Sequence, residues 1–554
     1  MPRAPDRSPR PADDAREGRT TARVPRRIGR GRWTAPLLAA LLLGQMAVAL
    51  VTCAVQQTPT IDEPVYVGAA VQYLREHEVR LNPEHPPLGK LIVGAGVALA
   101  EPRQDPSFQG GQSALGRHLL YEAGNDPWRL MLFARLPVIV LTLLFGLVVL
   151  VFARELAGTA GGLVALALYT LSPDVVAHGS LATLDVPAAG FLLTSVWLLW
   201  RARLRPWRYL PLAGAALGAA LATRMSALAA VPVLLGLAAL STRCTRAGPR
   251  ALLKGAALTA LAAVAVVWAA YLTVDPRLRW APQQHVPTVR GLRGHLVDLL
   301  PFPEAYRDGM RIQFGLENKP WRGFLLGRRY TGSLWYYLPV ALLVKTPLGT
   351  LVLWTAGAVT TVAVPRLRAA ALHVLAPAAV LLAAAVQGSR DFGTRYALFL
   401  PMFLAVAAGC VLAARWRRVP AVTTALVILV AVSSLRTFPY YLPYSNEAFG
   451  GPGKTRLRLH DSNVDWGQDL GRLADRLRER HGGERIWLVY KGSGVPSHYG
   501  IEAADPLRVP AARVRGLLVV SDSAAATATG RLADLIASSR PVDEVGHSIT
   551  LYRR

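Results

Sequence analysis

Residues 130–152 read LMLFARLPVIVLTLLFGLVVLVF, an apolar block that carries one charged residue, Arg135. About 20 apolar residues are needed to cross the hydrocarbon core of a bilayer, so this block predicts a transmembrane helix. Similar blocks recur along the chain, which is 52% hydrophobic and 18% charged. Soluble domains carry about 25% charged residues. The composition therefore predicts a protein whose main surroundings are lipid.

Further apolar blocks lie on both sides of this one. Together they predict an all-α polytopic membrane domain over residues 33–435, with about 11 transmembrane helices. The other predicted spans are residues 33–55, 161–172, 186–200, two within 209–241, 256–274, 347–364, 372–386, 396–414 and 421–434. The two longest polar connections, residues 56–90 and 274–335, are predicted loops.

The positive charge of the chain is distributed as in membrane proteins. The net charge is +27, and many arginines form short clusters between alternate apolar blocks, which is how orientation in a membrane is encoded. This pattern disfavours a nucleic-acid partner. It predicts a cytoplasmic N-terminus and outer positions for both long loops. Residues 1–32, rich in Arg, Pro and Gly without an apolar face, predict a disordered basic cytoplasmic tail.

Residues 436–554 change in character and predict a small extracytoplasmic α/β domain. A helix over 469–480 would place Leu470, Leu473 and Leu477 on one face. The other predicted elements are strands over 486–490, 517–520 and 547–552 and a helix near 531–538.

Three acids stand where outer loops meet predicted spans: Asp62, Glu63 and Asp185. Helix capping explains each of them without chemistry, because Thr60 and Glu63 have capping-box spacing and Asp185 precedes Pro187. A carboxylate at a helix terminus is also fixed in direction, so it is suited to act as a general base. Both interpretations stay open for these acids.

Five cations lie at a comparable depth: Lys90, Arg224, Lys345, Arg390 and Arg395. Each alone is explained by a side chain that extends to lipid headgroups. Converging on one cavity, they would instead bind an anion. Carboxylates above a cationic pocket suit a transferase whose donor is a sugar on a lipid phosphate, because the departing phosphate needs positive charge.

Several motifs resemble a known family. They are Asp62-Glu63, the stretch from His85 to Lys90 (HPPLGK), Asp185, the stretch from Trp335 to Pro347, Gly393-Thr394-Arg395-Tyr396 and the stretch from Asp461 to Asp469 (DSNVDWGQD). They resemble the protein O-mannosyltransferase superfamily, glycosyltransferase family 39 with the GT-C fold, and its relatives, the bacterial aminoarabinose transferases. The resemblance covers nearly the whole chain after the tail. No role for the Asp461–Asp469 stretch is implied.

The resemblance implies a polyprenyl-phosphate-sugar-dependent glycosyltransferase in a bacterial cytoplasmic membrane, acting outside the cytoplasm with inversion. Asp62 matches the catalytic base, and Glu63 and Asp185 match acids that shape the site. The five cations are expected to bind the donor phosphate, and His85, Tyr336 and Tyr337 the substrate, although these tyrosines also fit an interfacial aromatic belt. The acceptor class stays open between protein, lipid and glycan.

This sequence departs from the family in two ways, which limits the functional roles that can be transferred from the family to it. Family members often have lysine where this chain has Arg224, and the β-trefoil insertion of eukaryotic members is missing from the sequence. No cofactor is required by the motifs. A divalent cation near the acids stays open, since no ligand spacing demands one.

Two other function classes compete with a transferase. A transporter or flippase of lipid-linked sugars also needs charges at membrane depth, but it typically places them near the bilayer midplane in two related halves. A non-catalytic assembly protein would tolerate the loss of Asp62. An enzyme that uses a nucleotide sugar is disfavoured, because the sequence has no glycine-rich phosphate loop or dinucleotide-binding unit.

Overall fold

The computed structural model describes residues 33–243 and 249–554. The predicted tail over residues 1–32 lies outside the described residues. The fold is mostly helical, as the apolar blocks predict, and a small sheet lies near the C-terminus.

Among the described residues, ten α-helices precede the long polar connection. They are α1 (Thr34–Gln56), α2 (Glu63–Arg75), α3 (Pro87–Ala100), α4 (Gln112–Tyr121), α5 (Pro127–Thr170), α6 (Pro173–Gly179), α7 (Asp185–Ala202), α8 (Pro206–Thr223), α9 (Val231–Arg243) and α10 (Pro249–Val274). A 3-10 turn, Met225–Ala230, joins α8 to α9.

The next part of the chain contains seven helices and a hairpin. They are α11 (Gly291–Asp298), α12 (Glu304–Glu317), β1 (Arg322–Leu325), β2 (Arg328–Thr331), α13 (Tyr337–Lys345), α14 (Leu348–Ala363), α15 (Arg368–Ala385), α16 (Phe399–Gly409) and α17 (Val419–Leu435). The β1–β2 hairpin is antiparallel, and neither strand was predicted.

Helix α5 shows how local sequence sets a span. Its first turn is capped by Asp126, whose carboxylate accepts hydrogen bonds from the N–H groups of Trp128 and Arg129, and Pro127 occupies the first helical position. At Gly158 the backbone adopts a φ of 77°, which interrupts the helix. The helix therefore comprises two segments, at the places of the two predicted spans.

Five stretches of described helix are long and apolar enough to cross a membrane: Thr34–Gln56, Pro127–Thr170, Met225–Thr242, Pro249–Val274 and Pro365–Ala385. The pair α13 and α14, bent by 117°, makes a sixth if it is one span. Shorter apolar helices include α3 and α17. The predicted number of about 11 spans stays a prediction.

The last part of the chain folds around a four-stranded sheet. Its elements are α18 (Pro452–Thr455), α19 (Leu470–Arg480), β3 (Ile486–Val489), β4 (Leu517–Ser521), α20 (Asp522–Ala526), α21 (Arg531–Ala537), β5 (Arg540–Val545) and β6 (Ile549–Arg553). The strand order is β3-β4-β6-β5; β3 and β4 run parallel, and the other pairs are antiparallel.

The two helices on this sheet cover opposite faces. In α19, Leu470, Leu473 and Leu477 are buried together with Leu517 and Val519 of β4. The residues of β4 that alternate with these, Leu518 and Val520, are buried with Leu532 and Leu535 of α21. Because successive strand residues point to opposite faces, β4 is apolar throughout and lies in the middle layer.

Candidate active site

The first loop and a distant turn meet through an ion pair. Asp62 directly precedes α2, and its Oδ2 atom accepts a hydrogen bond from Nη1 of Arg395 at 2.6 Å. Arg395 belongs to the 3-10 turn Thr394–Ala397, between α15 and α16. Burial disfavours a charge on Arg395, but Tyr396 and the Asp62 carboxylate outweigh it and raise the pKa of the guanidinium. Arg395 is therefore held as a cation.

A cavity of about 890 Å³ lies beside this pair. Its charged lining comprises the arginines Arg224, Arg293, Arg390 and Arg395 and the acids Asp185 and Glu317. Its apolar lining includes Leu192, Leu228, Val380, Leu381 and Phe399. Guanidinium groups and apolar side chains of α7, α15 and α16 therefore share one cavity.

Both acids of the cavity are paired with arginines. Asp185, the first residue of α7, forms an ion pair with Arg224 rather than a side-chain cap. Glu317, at the end of α12, lies 2.7 Å from Nη2 of Arg390. Although burial favours the neutral acid, the N–H of Ser389 and the Arg390 guanidinium hold the pKa of Glu317 below its ordinary value.

Glu63 lies away from the cavity, fully buried against α5. Oε1 accepts hydrogen bonds from Nε of Arg135 at 2.8 Å and from the N–H of Ala182 at 2.7 Å. Oε2 accepts from Nη2 of Arg135 at 2.7 Å and from the N–H of Thr60 at 2.9 Å. Both oxygens are occupied, so the geometry gives Glu63 a structural place instead of the predicted catalytic one.

Two of the predicted phosphate-binding lysines also face the interior. The ammonium group of Lys90 donates to the carbonyls of Asn82 and His85, each at 2.7 Å. Lys345 is 3.3 Å from Asp174 and donates to backbone carbonyls. Neither lines the cavity, so the structure does not bring these lysines to the three arginines predicted with them.

The predicted substrate-binding residues lie outside the cavity wall as well. His85 is half-buried, with its ring edge-on to Tyr66, and burial together with the charge of Arg224 keeps its pKa well below the ordinary value. Tyr337 is buried, and its hydroxyl accepts a hydrogen bond from Asn463. Tyr336 is 40% exposed and contacts Trp335 edge-on, as expected for an aromatic belt.

Some lining residues were missed by sequence reasoning. Tyr396 lies between two guanidinium groups, 5.4 Å from that of Arg224 and 5.1 Å from that of Arg395. Arg293 of α11 and Glu317 of α12 come from the polar connection 274–335, and the amphipathic pattern of α12 was a usable signal for Glu317. The guanidinium of Arg293 lies 5.5 Å from the Phe314 ring centroid and forms no ion pair with a carboxylate of the described residues.

Residues 129–269 match the family model described as dolichyl-phosphate-mannose-protein mannosyltransferase. ArnT from Cupriavidus metallidurans in the apo state superimposes with a TM-score of 0.50 at 15% identity, over 94% of this chain and 98% of that one. The chain has the membrane fold of ArnT, the GT-C fold. ArnT bound to undecaprenyl phosphate gives a TM-score of 0.49 at 14% identity, over 93% of this chain and 97% of that one.

A more distant match is the S. cerevisiae protein O-mannosyltransferase complex bound to its sugar donor. Its TM-score to this chain is 0.34 at 19% identity, over 43% of this chain and 33% of that one. Comparison with curated proteins gives no match. Within residues 33–243 and 249–554, no three His, Cys, Asp or Glu side chains group as metal ligands.

Proposed function

We propose that this protein is a glycosyltransferase that moves a sugar from a polyprenyl phosphate to an acceptor on the extracytoplasmic face of a bacterial cytoplasmic membrane. The observation that carries the proposal is the contact of Asp62 with Arg395 beside a cavity that is both cationic and apolar. Residues 33–435 form the catalytic membrane domain in this proposal. Residues 436–554 lie outside, with the N-terminus in the cytoplasm.

The lining of the cavity favours an amphiphilic anion. Four arginines and two acids give the charged lining a formal charge of +2, that is, 4 − 2. Guanidinium groups match phosphate oxygens with paired donors, which makes arginine well suited to phosphate binding. The apolar side chains of the same cavity suit the first isoprene units. The family description, which names a dolichyl-phosphate sugar, supports the same donor class.

Asp62 is the proposed general base. One of its oxygens is bound to Arg395, while Oδ1 has no hydrogen-bond partner among the described residues, and the side chain is 29% exposed. An acceptor hydroxyl that reaches Oδ1 can therefore pass its proton to Asp62. A positioned base of this kind typically contributes about 10² to 10⁴ in rate.

The reaction is a single displacement at the anomeric carbon. The acceptor oxygen forms a bond to that carbon as the bond from the carbon to the phosphate oxygen breaks, and the acceptor proton moves to Asp62. The bonding electrons leave on the polyprenyl phosphate, where the arginines offset the new negative charge. The leaving group needs no general acid, and the configuration of the sugar inverts.

Asp185 takes a positioning role in this proposal. Its carboxylate holds Arg224, which also contacts the Tyr396 ring, so the guanidinium is fixed toward the cavity. The acids of the cavity are occupied by arginines, and we therefore assign the phosphate charge to guanidinium groups rather than to a divalent cation.

The test uses the purified protein in lipid nanodiscs with a panel of labelled polyprenyl-phosphate sugars and protein, lipid and glycan acceptors. We expect one donor to be consumed and its sugar to appear on an acceptor. Asp62→Asn should reduce turnover by about 10² or more, while Asp505→Asn, at an exposed acid of the last domain, should match the wild type. A wild-type protein that moves the intact lipid across the bilayer without consuming it would instead be a flippase.

A further inference from the structure

The segment from Asp461 to Asp469, here named the clasp segment, contacts both partners of the Asp62–Arg395 pair. On the side of Asp62, its backbone is hydrogen-bonded to the first loop. The carbonyl of Trp466 accepts from the N–H of Ile61, and the carbonyl of Gln468 accepts from the N–H of Thr58, each at 3.0 Å. The residue immediately before Asp62 is therefore tied to the clasp segment.

On the side of Arg395, the clasp segment is hydrogen-bonded to the residues that directly precede Arg395. The N–H and hydroxyl of Ser462 both donate to the carbonyl of Phe392, at 3.1 and 2.6 Å. Asn463 accepts from the N–H of Thr394 at 3.1 Å through its side-chain oxygen. A Cβ at Gly393 would overlap the Ser462 hydroxyl, so the two backbones can approach this closely only with glycine there.

Trp466 also contacts the guanidinium itself. Its ring centroid lies 4.4 Å from Cζ of Arg395, and the tryptophan is 1% exposed. An arginine on a tryptophan face is attracted by the ring quadrupole, and more strongly where water is excluded. The ring therefore restricts the guanidinium without taking up any of its N–H groups, and the buried Nε–H has no hydrogen-bond partner among the described residues.

The clasp segment is in turn anchored in the C-terminal domain. Asp461 accepts a hydrogen bond from the ammonium of Lys491 at 2.5 Å. Asp465 accepts from the N–H of Ser523 at 3.1 Å, and Asp469 from the hydroxyl of Ser548 at 2.7 Å. The three aspartates, spaced four residues apart, thus face the domain, whereas Asn463 and Trp466 face the site.

We propose that the C-terminal domain positions the active site through this clasp segment, and that Trp466 is a positioning residue that acts through Arg395. The inference rests on the proposed function, because it assigns Arg395 to the donor phosphate. In this proposal the DSNVDWGQD stretch has a role, which is to hold the base Asp62 and the phosphate-binding cation Arg395 in fixed positions relative to each other. The domain is then part of the catalytic unit.

A double-mutant cycle tests this proposal on the full-length protein in nanodiscs. Affinity for undecaprenyl phosphate and the kcat and KM of sugar transfer are measured for the wild type, Trp466→Leu, Arg395→Ala and the double variant. We expect Trp466→Leu to weaken binding of undecaprenyl phosphate about tenfold, but by less than about twofold when Arg395 is already alanine. Trp466→Phe, which keeps a ring face, should restore most of the affinity.

The control is Trp487→Leu. Trp487 is another fully buried tryptophan of the same domain, and its ring centroid lies 4.6 Å from Cζ of Arg485. Trp487→Leu should change the unfolding temperature without changing donor affinity. Equal losses from Trp466→Leu in both Arg395 backgrounds, or an equal loss from Trp487→Leu, would overturn the proposal.

If Trp466→Leu does not fold, Ser462→Ala replaces it, since this change removes a single hydrogen bond to the Arg395 loop. The same cycle then applies, and additive effects overturn the proposal. A wild-type protein that neither binds undecaprenyl phosphate nor transfers a sugar overturns the proposed function. Binding and transfer with an additive cycle overturn the positioning role alone.

Discussion

Glu63 and Arg135, 72 positions apart in the chain, form a doubly hydrogen-bonded ion pair in which both side chains are completely buried. The guanidinium also donates to the carbonyls of Ala54, Gln57 and Thr58, so one arginine connects α5, the end of α1 and the first loop. The loop that carries Asp62 is thereby fixed to the body of the protein.

This pair gives the first prediction. Glu63→Ala should destabilise the protein by about 3 to 5 kcal/mol, because removal of one partner leaves a buried, unpaired charge. The double variant that combines Glu63→Ala with Arg135→Leu should recover part of this loss, since it removes the remaining charge as well. Thermal unfolding of the purified protein in detergent measures both. A Glu63→Ala protein that unfolds like the wild type would contradict the structural role.

The second prediction concerns the replacement of Arg395 by lysine or alanine. Lysine keeps the charge but loses the paired donors and the flat face that lies on Trp466. We expect the KM for the donor to rise about tenfold in Arg395→Lys and about a hundredfold in Arg395→Ala, as for hydrogen bonds to a charged group. Initial rates at varied donor concentration measure this. Arg436→Ala, at an exposed arginine, should behave like the wild type.

Arg293 gives the third prediction. It lines the cavity and, among the described residues, has no carboxylate partner to lose, so its guanidinium is available to the donor. Arg293→Ala should raise the KM for the donor about tenfold and leave the unfolding temperature within error. The matched control is Arg290→Ala, an exposed neighbour outside the cavity lining. Equal kinetics for the two variants would remove Arg293 from the site.

The fourth prediction concerns pH. Burial raises the pKa of Asp465 to about 7, although the N–H groups of Ser523 and Gly467 oppose the shift. Burial likewise raises the pKa of Asp522 to about 6. Both values lie above the unfolded value of about 3.9, so the folded state holds these protons more tightly. Their contribution to the free energy of unfolding should be greatest below pH 4 and should fall as the pH rises to about 7.

Asp465→Asn should remove most of this pH-dependent decrease in the free energy of unfolding. The measurement is the unfolding temperature of wild type and variant at several pH values between 4 and 8. We expect the difference between the two proteins to favour the variant increasingly toward pH 8. A difference that is constant over this range would show that Asp465 does not titrate as inferred.

Much of the fold follows from the sequence because helices in lipid need long apolar blocks. The predicted spans around residues 130–152, 186–200 and 256–274 all correspond to helices. Three strands of the C-terminal sheet were also predicted. Strand β5 was missed because it lies at the sheet edge, where Pro541, Asp543 and Glu544 leave it without an apolar alternation.

Less of the candidate site than of the fold could be predicted from the sequence. Apolar blocks predict the depth of Lys90 and Lys345, but depth along a helix does not say which way a side chain points. Both turned out to face backbone carbonyls inside the protein. Arg135 was read only as one charge inside a span, and its partner Glu63 lies 72 positions away. Such pairings depend on which helices are neighbours, which the sequence pattern alone does not encode.

The contact between the clasp segment and the first loop has a practical consequence for exchanging parts between related proteins. The hydroxyl of Thr58 donates to the carbonyl of Gly467, and just after the clasp segment a Cβ on Gly471 would lie 3.4 Å from Cγ2 of Thr58. In a chimera that takes only residues 436–554 from a relative, the clasp segment of the relative would therefore contact the first loop of this protein. Grafts that carry residues 56–62 along with the new domain preserve this contact and are the better starting point for such chimeras.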